Sequence, residues 1–199
     1  MRAAKSLGPL LALCAVGVLG CTPEEGTETE AEVAVSEEAP AGADRRGPTP
    51  ELPEADADAL WAHLGDESYT ERWAPWPGRG QFYEGTEPHG ALLSTYVNAE
   101  ASDAFETDAP AMPPGAIVVK ENYSADRVLQ AITVMYKVEG FNPEAGDWFW
   151  ARFLPDGSVD GGGTLAGTPA ACIECHSEAA DNDYLRTGPL GAGAGAGRP

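Results

Sequence analysis

The stretch Cys172-Ile173-Glu174-Cys175-His176 constrains this chain more than any other. It reads C-x-x-C-H, the attachment sequence for a c-type haem. Two thiols at that spacing bond to the two vinyl groups of one porphyrin, and the histidine that follows lies under the iron. Two other chemistries use part of the pattern. Zinc takes four ligands, and beyond the leader the chain has no second cysteine pair. A redox C-x-x-C pair sits after a strand, at the start of a helix, in a βαβ setting. Nothing of that kind surrounds residue 172. The residues favour covalent haem, with His176 as the proximal iron ligand.

The other cysteines agree with this. Met1-Arg2-Ala3-Ala4-Lys5 is basic and an apolar run follows from Leu7 to Leu19. The run has the size of a signal-peptide core and is short for a membrane span. It ends Val18-Leu19-Gly20-Cys21, which resembles a bacterial lipobox with Cys21 as the lipidated residue; an ordinary signal peptide cut nearby is the alternative. Residues 1–20 are thus expected to be a lipoprotein signal peptide. Cys14 leaves with it, Cys21 carries lipid, Cys172 and Cys175 carry haem, and no cysteine remains for a disulfide. Export fits haem attachment, which takes place outside the bacterial cytoplasm. The net charge is -20. Such a surface argues against nucleic acid and anionic headgroups as partners, leaving the lipid as the only membrane hold. Thr22 follows the cysteine, and without an aspartate there the periplasmic face of the outer membrane is favoured over the inner.

Residues 21–50 hold eight acids between Glu24 and Asp44 and no aromatic residue. They cannot bury enough apolar surface to offset their ordering entropy and are expected to form a disordered tether. A folded domain is expected over 51–187. Pro53 to Asp56 opens a helix with Leu60, Trp61 and Leu64 on its apolar face, ended by Gly65, and Trp73 to Gly78 is loop. Strands are expected at Ala91–Val97, Ala116–Tyr123, Val128–Val138 and Trp148–Leu154, with Asn98 capping a short helix through Phe105. Short turns between successive strands mean an antiparallel sheet, so the fold class is α+β, mainly antiparallel β-sheet with a few short helices. One face of that sheet can pack on helices and the other on haem or a second subunit. Gly161-Gly162-Gly163 is a joint. Thr168 is the expected N-cap of the haem-motif helix, with Pro169 its first residue. Residues 188–199 are a Gly/Ala-rich tail, expected to be disordered.

The haem motif lies near the C-terminus. Only 23 residues follow His176 and none is methionine. Of the upstream candidates, Met112 lies in a Pro-rich turn and Met135 within a strand, where a core role is simpler. A Met-ligated electron carrier is therefore disfavoured. Four-helix cytochromes c′ keep the motif near the C-terminus, but residues 91–154 read as strands. What remains is a β-rich domain with an open or weakly held sixth iron position, suited to ligand binding or chemistry at iron.

From about Glu87 to Gly188 the sequence resembles the cytochrome P460 family. The resemblance is carried by Pro88-His89-Gly90-Ala91-Leu92-Leu93, by Pro114 to Glu121, by Thr133 to Lys137, by Gly146 to Ala151 and by the C-I-E-C-H itself. It implies a mainly antiparallel β fold, usually a homodimer, with one covalent haem c per chain. It also implies a lysine bonded to a meso carbon of the haem, giving haem P460. The matching residue is Lys120, one of two lysines beyond the leader with Lys137. A strand lysine sharing a face with Ala116, Val118 and Asn122 is costly unless paired, used or snorkelling to water. Better-studied members oxidise hydroxylamine, with nitric oxide, at a five-coordinate haem. The related β-type cytochromes c′ lack the lysine link and bind nitric oxide in apolar pockets. A partner cytochrome for electron transfer is compatible with either.

The sequence departs from the active members twice. The first strand reads Leu92-Leu93-Ser94 where some carry arginine, and Gly161 to Ala171 holds no acid where a distal carboxylate is expected. Glu121 should point away from Lys120. His89 is a candidate distal ligand or base, with a loop hydrogen-bonding role as its alternative. His63, beside Trp61 and Leu64, is most simply structural.

Overall fold

The structure, a computed structural model, describes residues 51–190. The signal peptide, Cys21, the tether and residues 191–199 of the tail lie outside the described residues.

Helix α1 spans Ala57–Asp66. It begins later than the proline at 53 suggested, because Asp56 is the better cap. Asp56 lies in extended backbone and its carboxylate accepts from the amides of Asp58 at 3.0 Å and Ala59 at 3.1 Å. A four-residue helix α2 follows at Tyr69–Arg72. The aromatic stretch expected as loop contains strand β1, Ala74–Pro75, and strand β2 is Tyr83–Glu84. The remaining elements are β3 (Leu92–Val97), α3 (Ala99–Glu106), β4 (Ile117–Tyr123), β5 (Leu129–Lys137), β6 (Trp148–Phe153), β7 (Ala166–Gly167) and α4 (Ala170–His176). They form one antiparallel sheet in the order β1-β3-β4-β5-β6-β7, with β2 also paired to β3. The antiparallel α+β architecture expected from the strand pattern is therefore the observed one.

Two local expectations change. Pro169, not Thr168, occupies the N-cap of α4, and no side chain caps that end. Gly161 to Gly163 is not a free joint but a tight turn, all three glycines at positive φ, that leads into β7 on β6. Residues 188–190 also belong to the fold. Asn182 holds them, donating to Gly188 O at 3.0 Å and accepting from Leu190 N at 2.8 Å.

The sheet is buried on both sides. On one face Leu60 and Leu64 of α1 pack against Ile117, Val119, Ile132, Val134, Phe149 and Phe153. Each such side chain contributes about 1.5–3 kcal/mol on burial. On the other face Val97, Val118, Met135, Trp148 and Trp150 meet α3, Met112, Leu185 and the haem-motif helix. Asn98 joins the sheet to α3. Its Oδ1 accepts from Ala101 N at 3.1 Å and Ile117 N at 2.9 Å, and its Nδ2 donates to Gly115 O at 2.8 Å. Asn98→Ala should therefore cost about 2–3 kcal/mol, more than a solvent-exposed cap, because it also orphans buried backbone groups. Denaturant unfolding of the haem-loaded protein checks this; a loss below about 0.5 kcal/mol contradicts it.

Candidate haem site

Strand register lays out the floor of the site. Lys120 lies opposite Thr95 on β3 and Thr133 on β5, and Thr133 lies opposite Arg152 on β6. One row across the sheet is therefore Thr95, Lys120, Thr133 and Arg152. The next row is Val97, Val118, Met135 and Trp150. Period-two alternation puts both rows on the face that α4 covers. Glu121 points to the opposite face, as expected, where its carboxylate accepts from Tyr69 at 3.0 Å and Tyr123 at 2.7 Å.

Helix α4 carries Cys172, Cys175 and His176 on one and a half turns. Its last residue, His176, is buried, with the Trp150 ring edge-on at 4.7 Å between centroids. The Nδ1 of His176 lies 2.7 Å from the carbonyl oxygen of Tyr184. A carbonyl only accepts, so Nδ1 carries the hydrogen and Nε2 keeps its lone pair. Burial, before any other cause, lowers the pKa of this ring, so it is held in the neutral form that an iron ligand requires. Cys172 is partly buried and its thiol is pushed up by burial, whereas Cys175 is exposed.

Between α4 and the sheet lies a cavity of about 310 Å³. Val118, Lys120, Thr133, Met135 and Trp150 line it from the sheet, and Cys172, Cys175 and His176 from the helix. A second space of about 240 Å³ adjoins it, sharing Pro88, His89, Lys120, Cys175, His176, Arg186 and Thr187. Among the described residues, no acid lines the larger space. Glu84 and Glu87, from the segment before β3, line the smaller one. The acids that reach the site come not from residues 161–171 but from the other end of the domain. No local pattern flags them, because only the fold of β2 onto β3 brings them there.

His89 reaches the site through Gly90, whose φ of 95° is suited to glycine and where a Cβ would lie 2.9 Å from Tyr123 O. The His89 ring stands 6.1 Å from that of His176 at 81°. Its Nδ1 lies 3.1 Å from Asn122 Oδ1. The Asn122 amide group donates to Ala131 O and Lys120 O, which fixes Oδ1 as the acceptor. His89 therefore donates from Nδ1 and keeps the Nε2 lone pair. Burial first, then the Lys120 charge, push its pKa down to about 3. Lys120 is lowered to about 8, by burial and then by the charges of Arg79 and Arg186. Its amine is thus far more available as a free base than an exposed lysine. His63 is remote from this cleft and stands against Trp73.

These residues fit a c-type haem. Two thiols and an imidazole with a free Nε2 border one apolar space, and a lysine with a lowered pKa borders it too. Met135 lines the space from the strand, and Met112 is buried in the core on the same side of the sheet. No curated protein matches the chain. The family model for cytochrome P460 matches residues 79–187, more than half of the chain and all of the cleft from Arg79 to Thr187. With the antiparallel sheet, the helix-borne C-x-x-C-H and the matched span in agreement, the chain belongs to the cytochrome P460 family of haem proteins.

Proposed function

We propose that this protein is an exported c-type haem oxidoreductase that oxidises hydroxylamine, with nitric oxide, at a five-coordinate iron. The observation that carries the proposal is Lys120, directed into the same cavity as Cys172, Cys175 and His176. Bound there, a haem would supply an iron able to accept electrons from the substrate. Cys172 and Cys175 would hold the porphyrin by its vinyls, and His176 would offer Nε2 as the iron ligand. Lys120, which lines the same cavity, would be the residue that bonds to the macrocycle. His89 offers its Nε2 as a proton acceptor or hydrogen-bond partner, and Glu84 and Glu87 offer carboxylates in the adjoining space, through which protons can leave. The homodimer and a partner cytochrome for the released electrons belong to the same proposal. The acid-free wall of the larger cavity favours one alternative, a non-catalytic nitric oxide binder.

Haem-peptide mass and steady-state assay separate these. Wild-type protein should release haem bound to peptides containing residues 120, 172 and 175, and should turn over hydroxylamine. Lys120→Ala protein should keep haem on the cysteine peptide alone, lose the red-shifted ferrous Soret band and lose turnover. A wild type with an ordinary c-type spectrum and no turnover would establish the gas binder instead.

The pH dependence of His89 is a second check. The unfolded ring binds a proton near pH 6.5, whereas the native ring, pressed by burial, Lys120, His176 and Arg152, does so only near pH 3. Between those values the unfolded state binds more protons, so stability falls as pH drops from 6.5 towards 3. His89→Gln should remove that share of the slope in denaturant titrations across the range. An unchanged slope would mean that His89 is protonated in the native protein.

Export rests on residues 1–21, with Cys21 as the anchor. Wild-type protein should take up labelled fatty acid and pellet with membranes, and Cys21→Ser protein should do neither. Uptake by both would place the lipid elsewhere.

A further inference from the structure

Lys137, the second lysine of the folded domain, has no part in the chemistry above. It is nonetheless buried, and its Nζ lies 2.6 Å from Asp183 Oδ1, also buried. It also stands 4.7 Å from the centre of the Trp148 ring. A buried ion pair gives little net stability over an apolar pair of the same size, because both charges are desolvated. Its presence calls for another reason, and that reason lies one residue further along the chain.

Asp183 and Tyr184 are consecutive left-handed residues, with φ of 53° and 64°. Asp tolerates that region, but a bulky side chain such as Tyr persists there only where its surroundings over-determine it. Three parts of the domain hold Asp183. Lys137 on β5 binds one carboxylate oxygen, Met112 N donates to the other at 2.7 Å, and Trp148 Nε1 on β6 donates to its carbonyl at 3.0 Å. Tyr184 is pinned at its far end, where its hydroxyl donates to Glu144 O at 3.1 Å. The carbonyl that emerges from this turn is the one that accepts from His176 Nδ1 at 2.7 Å.

We propose that the Lys137–Asp183 pair is the positioning device for the proximal histidine, holding the Asp183–Tyr184 turn so that the Tyr184 carbonyl is aimed at His176 Nδ1. The proposal rests on His176 being the iron ligand. A strong acceptor on Nδ1 raises the basicity of Nε2 and fixes the ring orientation. The pair therefore sets the strength of the iron–histidine bond from the far side of the turn, without touching haem. Both lysines of the folded domain then serve the haem, Lys120 from within the cavity and Lys137 through His176.

The test is resonance Raman of the ferrous haem-loaded protein together with its reduction potential. Lys137→Met should lower the iron–histidine stretching frequency and raise the potential. Lys137→Arg, which can keep the ion pair, should restore both towards wild type. The double variant Lys137→Met/Asp183→Asn leaves no unpaired buried charge and is the second handle if Lys137→Met yields no folded holoprotein. Trp148→Phe, which removes one N–H and keeps an aromatic core residue, is the third. Folded variants with covalent haem and an unmoved stretch and potential would overturn the positioning role. Absence of an iron–histidine band in the wild type would instead overturn His176 as ligand, so the two failures are distinguishable.

Discussion

The alternation of side chains along β4 is the constraint on which the site depends. Ile117, Val119 and Glu121 must go to one face and Val118, Lys120 and Asn122 to the other. Because Ile117 and Val119 are committed to the core beneath α1, Lys120 has no choice of side. A slip of one residue would exchange the two sets, burying Glu121 in the haem cavity and sending Lys120 to the tyrosines. The apolar contacts with Leu60 and Leu64 thus do more than stabilise the domain. They hold the register that brings an amine to the haem side.

Charge is distributed with similar economy. The chain is strongly acidic, yet four of the seven Lys and Arg residues within 51–190 line the cleft: Arg79, Lys120, Arg152 and Arg186. Arg152 is tied to Asp160 at 2.8 Å, and Arg186 to Glu178 and the carbonyl of Cys175. Arg79 donates to Thr187 O and lies over Tyr83. These guanidinium groups brace the rim. Burial first, and then two of them, Arg79 and Arg186, keep Lys120 from holding its proton as an exposed lysine would.

Much of this was legible along the chain because it is local. The strands announced themselves by β-branched and aromatic alternation, Asn98 by its place before a helical run, and the haem helix by its motif. The local errors also have local causes. Asp56 outcompeted Pro53 as a helix start because a carboxylate in extended backbone satisfies two amides. Pro169 took the cap position that Thr168 was expected to fill. The two-residue strands β1, β2 and β7 carry too little pattern to read, and they exist only because a longer neighbour offers an edge. The acids at the cleft, Glu84 and Glu87, were invisible for the same reason.

Residue order alone revealed the candidate haem-binding groups in kind: two thiols and an imidazole at fixed spacing, few lysines, and a face pattern that puts Lys120 with Val118. Periodicity and spacing are properties of a single segment, so a single segment reveals them. The fold, in turn, settles which imidazole nitrogen is free, that His89 approaches His176, and that Lys137 reaches Asp183 across 46 residues. Those depend on hydrogen-bond partners brought together by sheet register and by the turn after α4. A partner distant in the chain leaves no trace in the order of the residues around either member.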